Sequence, residues 1–519
     1  MLACAPIWSV SYFFSADGPA HLHSASLIIP LLSGQASETY SLNSVVVPNS
    51  LGHWLMAVLL SFLHPYTVSK IIATLTYCGF VASASWLRYS VYGLNGLGLG
   101  IIGSAVLSFD RIWLVGLYNF VIGTSVFLVI LGFVFRWEGK VTGKRAVLLA
   151  ILFVFAFFSH MVAFSVAVVS VVAFVGVKGG VDRMRTLVWT FAALLPILPF
   201  AVRYELLSLR EGSVAPVWYL LSSPMSVDSV VLYLRGTDPF FIISRRFIPF
   251  LTEMSGFNVL AAPFIWIVTA AVLLLVGSCL FARVKERLPH FAILGMLFVI
   301  ALLAPDEIGS ADGSVIRPRL MLMTAAVFTA LITVTSKRLS IIGAGILVAV
   351  FAYQNAALWE YATRYSRQEE QFHSAAVAIA SDDKVASVTI IDETPRFFPH
   401  PLQRMSCLYG IGTNVTAWDN YEMGSYYFPV TAARREDRTI FHDHSESALL
   451  RLGSEDENHV LAIERLRGQL AMDHDKITAL VVWGRNDEVD QMIGTWFDPH
   501  PAFEKENIRV FRTRKSSGA

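Results

Sequence analysis

Charge is scarce in this sequence: only 15% of its 519 residues are Asp, Glu, Lys or Arg, where a soluble domain carries about 25%. That shortage excludes a water-soluble protein along the whole length. With 55% hydrophobic residues and a mean hydropathy of +0.57, the chain has more apolar surface than one aqueous core can hide. Net charge is nearly absent too, at +1, so no global field attracts nucleic acid and no nucleic-acid partner is expected. Cysteines number four, and Cys4, Cys78 and Cys279 sit in apolar runs while Cys407 stands alone, which rules out a disulfide framework and zinc spacing. Internal repeats are missing as well, so a transporter built from duplicated halves gains no support.

What the sequence does have is long apolar runs, at 1–14, 67–87, 94–109, 118–135, 146–158, 161–177, 186–204, 257–282, 291–304, 320–335 and 340–357. Read as crossings, they give an all-α polytopic membrane domain of about eleven transmembrane helices over residues 1–360. Residues 361–519 have ordinary soluble composition and form the second domain. The first run is too short for a full span of about twenty residues and lacks a basic leader, so either the true start lies upstream or the first helix is incomplete.

Orientation follows from Lys and Arg in short breaks, which favour the cytoplasmic side. The breaks at 136–145, 178–185, 283–287 and 337–338 are basic and are placed inside. Counting outward puts His160, residues 205–256, residues 305–319, the 110–119 break and the C-terminal domain outside. A twelfth run, 51–64, is ambiguous. His53, Trp54 and His64-Pro65 at its ends suit a helix lying along the outer surface at headgroup level, which makes 15–66 an outer first loop.

The unusual polar residues then share one compartment. Asp17, in Ser15-Ala16-Asp17-Gly18-Pro19-Ala20-His21-Leu22-His23, follows the first run. As a partly desolvated carboxylate at a cavity lip it fits a general base, and as the residue before Gly18-Pro19 it equally fits a helix N-cap. His21 lies about one helical turn on, open to metal binding or to simple solvation, with His23 beside it. His160 interrupts two apolar runs, as a functional group or as a hydrogen-bonded turn residue. Asn119 opens a span as helix glue or ligand. Arg317 and Arg319, at the outer mouth of a span, defy the basic-inside tendency and form a natural phosphate clamp, with Arg245 and Arg246 a second option and headgroup snorkelling the plain alternative.

The tail reads as a small α/β domain: a charged helix from Arg364 to Ala380, strands at Val385–Ile391, Ala479–Trp483 and Ile508–Phe511, and a helix near Val489–Trp496. Its middle holds Phe397-Phe398-Pro399-His400 and Trp418-Asp419-Asn420-Tyr421-Glu422, dense in aromatic and polar groups that stack on sugars or pack on the membrane domain.

The entry helix, the outward Asp17-Gly18-Pro19-Ala20-His21, a surface helix, many short spans and a soluble outer domain together resemble the GT-C superfamily of polyprenyl-phosphate-sugar-dependent glycosyltransferases, the family 39 type among them. Pro48 to Pro65, leading into Lys70, resembles the juxtamembrane helix of those proteins. The resemblance implies a multi-pass enzyme of the plasma membrane, in bacteria the inner membrane, with its C-terminal domain extracytoplasmic. It implies transfer, usually with inversion, from a polyprenyl-phosphate-linked sugar donor to a glycan, lipid or protein acceptor. Asp17 would be the base, Arg317 or Arg319 would hold the carrier phosphate, and His160 would line the donor cavity. His21, His23 and Asn119 complete the candidate substrate-binding set. The first loop lacks the usual Asp-x-Asp or Asp-Glu pair, so no metal ligand is assigned and a divalent cation, magnesium or manganese, stays open. A non-catalytic protein of the same scaffold, assisting export or assembly of a surface polysaccharide, is the competing expectation.

Overall fold

The structure is a computed structural model describing residues 2–35, 37–178, 180–210, 284–304, 315–332, 336–391, 400–451 and 457–514. The expected crossing at 257–282, with Arg245, Arg246, Asp306 and Glu307, lies outside the described residues. Helices run in the order α1 (Ala5–Trp8), α2 (Gly18–Leu32), α3 (Leu51–Leu60), α4 (Pro65–Tyr92), α5 (Leu97–Ser108), α6 (Arg111–Val115), α7 (Tyr118–Arg136), α8 (Gly143–Ser159), α9 (Met161–Lys178), α10 (Arg183–Ala192) and α11 (Leu198–Arg210). Then come α12 (Val284–Leu303), α13 (Ile316–Leu331) and α14 (Lys337–Ala375). Four of the described helices, α4, α7, α9 and the one that begins at Lys337, are long and apolar enough to cross a membrane.

Local chemistry sets several boundaries. Pro65 supplies the fixed φ of a first helical turn to α4, and Gly93, at φ 62°, ends it. Asp110 caps α6 by accepting from the Trp113 N–H at 2.8 Å. The run 51–64 yields only the ten-residue α3, a rise of ~15 Å against a hydrocarbon core of ~30 Å, so this helix alone does not reach across. The run 1–14 yields only a 3-10 turn at Leu2–Cys4 and the single turn α1.

Small residues bring the helices close. A Cβ on Gly132 of α7 would stand 2.4 Å from Trp86 Nε1 of α4, so only glycine permits that approach. Arg88 of α4 is buried and donates to the carbonyls of Ala330 at 3.3 Å and Ile332 at 2.6 Å, while Tyr92 donates to Leu331 O at 2.6 Å. Those carbonyls are the orphan acceptors at the C-terminal end of α13, and satisfying them pins that helix. The opposite end of α13 carries Arg317 and Arg319.

The C-terminal part is a mixed sheet flanked by helices. Its strands are β2 (Lys384–Ile391), β3 (Thr416–Ala417), β4 (Val430–Ala432), β5 (Leu449–Arg451), β6 (Ala479–Trp483), β7 (Phe503–Lys505) and β8 (Ile508–Arg512); β1 (Tyr40–Leu42) belongs to the first loop. The sheet runs β3-β2-β6-β8-β7, with β2 parallel to β3, β5 and β6, and β8 antiparallel to β6 and β7. The central strands are buried along nearly their whole length, as parallel strands covered on both faces must be.

Two features link the first loop and the transmembrane helices to the C-terminal part. The helix expected to begin at Arg364 is the end of α14, which runs unbroken from Lys337 to Ala375 because neither glycine nor proline interrupts residues 346–375. The first loop also supplies a strand: β1 pairs antiparallel with β4, Tyr40 opposite Ala432 and Leu42 opposite Val430. Asn43 Nδ2 adds bonds to Tyr426 O at 2.6 Å and Phe428 O at 3.2 Å. These contacts fasten the first loop beneath the C-terminal part.

Candidate active site

Asp17 stands at the N-cap position of α2, yet its side chain makes no capping bond. Its backbone is stitched to the turn ahead of α7, with Ala16 N–H to Leu114 O at 3.2 Å and Asp17 N–H to Val115 O at 2.8 Å. Gly116, at φ +98°, makes that approach possible, since a Cβ there would meet Ser15 Oγ at 2.2 Å. The carboxylate's partners therefore lie outside its own helix, and the residue is 6% exposed. Arg404, from the C-terminal part, forms an ion pair with Oδ1. Tyr421 donates its hydroxyl to Oδ2 at 3.3 Å. Arg404 also lies over the Tyr421 ring at 4.3 Å and donates to Ser445 Oγ at 3.3 Å. The plain N-cap reading of Asp17 thus fails, because the side chain is committed elsewhere.

Arg319 continues this site along α13. It lies in the field of the Asp17 carboxylate and 5.7 Å from the Phe120 ring centroid. His160, the residue after α8, meets the same Phe120 edge to face at 5.1 Å and feels the Arg319 charge. Its Nδ1 accepts from the Val162 N–H at 3.2 Å, so it serves the turn into α9 as well. Asp17, Arg319 and His160 therefore belong to one neighbourhood. Arg317 leaves α13 two positions earlier and is half-buried.

His21 and Asn119 meet in an adjoining buried cluster. His21 and His53, expected at solvent or headgroup level, are 4% and 0% exposed because the C-terminal part covers α2 and α3. His21 Nε2 donates to Gly116 O at 3.0 Å, and Nδ1 bonds Glu422 Oε1. With an acceptor at each ring nitrogen, His21 is an imidazolium. Burial opposes that charge, but Glu422 and, further off, Asp17 outweigh it and raise the His21 pKa. Burial likewise pushes the Glu422 carboxyl up, yet His53 and His21 together hold it well below the carboxylate range. His53 Nε2 donates to the two Glu422 oxygens at 2.9 and 3.1 Å.

Asn119 fixes that arrangement. Its Oδ1 accepts from the Gly52 N–H at 2.6 Å and its Nδ2 donates to Asn49 O at 2.6 Å, so the amide cannot be flipped. The same Nδ2 donates to His53 Nδ1 at 3.1 Å, which leaves the His53 proton on Nε2.

Among the described residues, His21, His53 and Glu422 are the one group of three whose ligand atoms lie close enough to share a cation, within 4.8 Å of one another. Two imidazole nitrogens and one water-excluded carboxylate do not make the oxygen-rich shell that magnesium or manganese prefers. Zinc accepts such donors, but it needs a bare His53 Nε2, and Asn119 keeps the proton there. The residues fit a hydrogen-bonded ion pair and do not fit a metal centre.

His23 points elsewhere. Its Nδ1 accepts from Asn420 Nδ2 at 3.0 Å, and a Cβ on Gly410 would meet its Nε2 at 2.4 Å. Burial pushes its pKa down to about 4, so it is neutral packing between α2 and the C-terminal part.

Arg404, Tyr421, Glu422 and the buried role of His53 escaped sequence reasoning. Tyr421 and Glu422 did lie in a stretch conspicuous for aromatic and polar density, but Arg404 carried no local signal at all.

No protein-family model matches the chain, and no curated protein resembles it in sequence. Its fold does match solved structures. ArnT from Cupriavidus metallidurans bound to undecaprenyl phosphate aligns over 99% of this chain and 96% of its own, with TM-score 0.52 at 9% identity. The same protein in the apo state aligns over 96% and 94%, with TM-score 0.50 at 10% identity. Over nearly its whole length, then, the chain shares the fold of these ArnT structures.

Proposed function

We propose that the chain is an integral membrane glycosyltransferase that moves a sugar from a polyprenyl-phosphate carrier to an acceptor hydroxyl on the outer face of the membrane. The observation that carries this reading is the buried Asp17 carboxylate, held where α2, the start of α7 and the C-terminal part converge, ion-paired to Arg404 and in the electrostatic reach of Arg319. An ArnT structure of the same fold was solved with undecaprenyl phosphate bound, which supports a lipid phosphate as the donor's leaving group.

Chain order supports this sidedness. Helix α7 begins beside Asp17 and ends at Arg136, and α8 starts at Gly143 and returns to His160. The basic breaks at 136–145 and 178–185 therefore lie at the bundle end opposite the site, and cytoplasmic placement of those breaks puts the site outside. About eleven crossings, with the C-terminal part extracytoplasmic, satisfy this arrangement.

In the transfer step Asp17 takes the proton of the acceptor hydroxyl. The acceptor oxygen bonds the anomeric carbon from the face opposite the leaving group. The bond from that carbon to the phosphate oxygen breaks, its electron pair stays on the phosphate, and the configuration inverts. Arg319 faces the charge that builds on that oxygen, and His160 borders the donor cavity.

One observation favours a second reading. Each Asp17 oxygen already has a partner inside the protein, as expected of a structural residue in a non-catalytic scaffold protein for surface polysaccharide assembly. Glycan profiles of cells lacking the protein, complemented with wild type or with Asp17→Asn, separate the two. The transferase reading expects the variant to accumulate normally and leave the profile of the deletion. A wild-type profile with Asp17→Asn would overturn it.

A further inference from the structure

While Arg404 is paired to Asp17 the carboxylate's hold on a proton is weakened, and of the two bonds Asp17 makes, the bond to Arg404 is the one built to exchange. The 3-10 segment Pro401–Gly410 kinks at Arg404. Apart from Asp17, the side chain is held by a single 3.3 Å bond to Ser445 and by the face of Tyr421. Its Nε is buried without a hydrogen-bond partner, and so is the Nε of Arg319, which faces the same carboxylate. A guanidinium paired to one small anion through a buried site, with an unfilled donor of its own and a second guanidinium in the field of the same anion, describes a place that accepts a larger anion with more oxygens.

Resting on the lipid-donor reading, we propose that Arg404 is an anion-exchange residue: the phosphate of the lipid donor takes the Arg404 guanidinium from Asp17, and donor binding thereby frees the carboxylate for the acceptor. No covalent bond changes in this step. One guanidinium trades a carboxylate for a phosphate, its Nε gains an acceptor, and Asp17 keeps Tyr421. The device also orders the reaction, because the acceptor hydroxyl meets a free base only after the sugar donor is in place. It gives the C-terminal part a direct share in the site, since Arg404, Tyr421 and Ser445 all lie beyond residue 400.

Asp17 and the phosphate then compete for one cation, and that competition is measurable. The probes are undecaprenyl phosphate and undecaprenol, bound to the purified full-length protein in nanodiscs. Wild type is expected to prefer the phosphate. Arg404→Ala lowers affinity for the phosphate by about tenfold or more and leaves the alcohol unchanged, and Arg404→Lys restores part of the loss. Asp17→Asn, which removes the competitor, tightens phosphate binding severalfold while abolishing transfer. If Arg404→Ala does not fold, Asp17→Asn alone decides. Phosphate affinity that stays the same or falls in Asp17→Asn, or that is unchanged in Arg404→Ala, overturns the exchange. A wild type with no preference for the phosphate over the alcohol overturns the lipid-donor reading itself.

Discussion

Replacing Glu422 by Gln removes the one negative charge shared by His21 and His53 in a space closed to solvent. Both ends of the His21–Glu422 pair are nearly or fully buried, with side chains 6% and 0% exposed, so screening offers no relief. Breaking such a pair from one side costs about 3–5 kcal/mol, because the remaining charge loses its compensation. For a unit the size of residues 361–519 that is a fall of roughly 10 °C in the unfolding midpoint. The pH profile changes shape as well. His21, raised above its ordinary 6.5, contributes fully below pH 6.5, and its share is lost as pH climbs through the raised value. Glu422, depressed below its ordinary 4.5, contributes fully above pH 4.5, and its share is lost as pH falls through the depressed value. The wild-type pair is complete between those two ordinary values. Glu422→Gln abolishes the alkaline decline, because His21 no longer has a reason to hold its second proton. Thermal unfolding of the detergent-purified protein, followed by tryptophan fluorescence from pH 5 to 9, reads both effects. Adding His21→Gln to Glu422→Gln costs less than the two separate losses combined. A midpoint within 2 °C of wild type, or an unchanged alkaline decline, would refute the ion-pair reasoning.

Asp17→Asn is expected to lower transfer by about a hundredfold or more without lowering yield or changing elution from a sizing column; activity within tenfold of wild type contradicts a base role. Gly52→Ala sets a Cβ 2.5 Å from the pinned Asn119 Oδ1 and should cost about 1–3 kcal/mol, read as a lower unfolding midpoint. His23, pushed down to about 4 by burial, must gain a proton on unfolding in acid. Its share of stability is present above pH 6.5 and falls by about 3 kcal/mol by pH 4, so His23→Gln should flatten the acid limb of an unfolding profile. Arg319→Gln is expected to weaken undecaprenyl phosphate binding by about tenfold while undecaprenol binding stays constant.

Much of the architecture was legible because run length and composition are local properties. Apolar stretches announced a helical membrane protein, and the alternation of apolar strands with polar helices after residue 361 announced a sheet. Asp17 stood out as a carboxylate directly after an apolar run. Its ion pair did not, because Arg404 is 387 positions away and nothing about an arginine in Pro401–Gly410 marks it for that partner. His21 and His53 illustrate the same limit. Their spacing placed them on short helices at the membrane surface, where water is the default partner. What buries them is the pairing of β1 with β4 and the descent of Glu422 onto α2 and α3, which are contacts between distant stretches of chain. Asn119 was read as helix glue or ligand; it clamps α3 to α7 and, by the same amide, fixes the proton of His53.

Sidedness is the premise on which the outer-face site depends, and labelling tests it most directly. In a background with Cys4, Cys78, Cys279 and Cys407 replaced by Ser, single cysteines go to Asp475, exposed in the C-terminal part, and to Thr142, exposed in a basic break. A membrane-impermeant maleimide added to intact spheroplasts should modify position 475 at once and position 142 only after permeabilisation. Labelling of position 142 in intact cells, with position 475 protected until permeabilisation, would contradict the account.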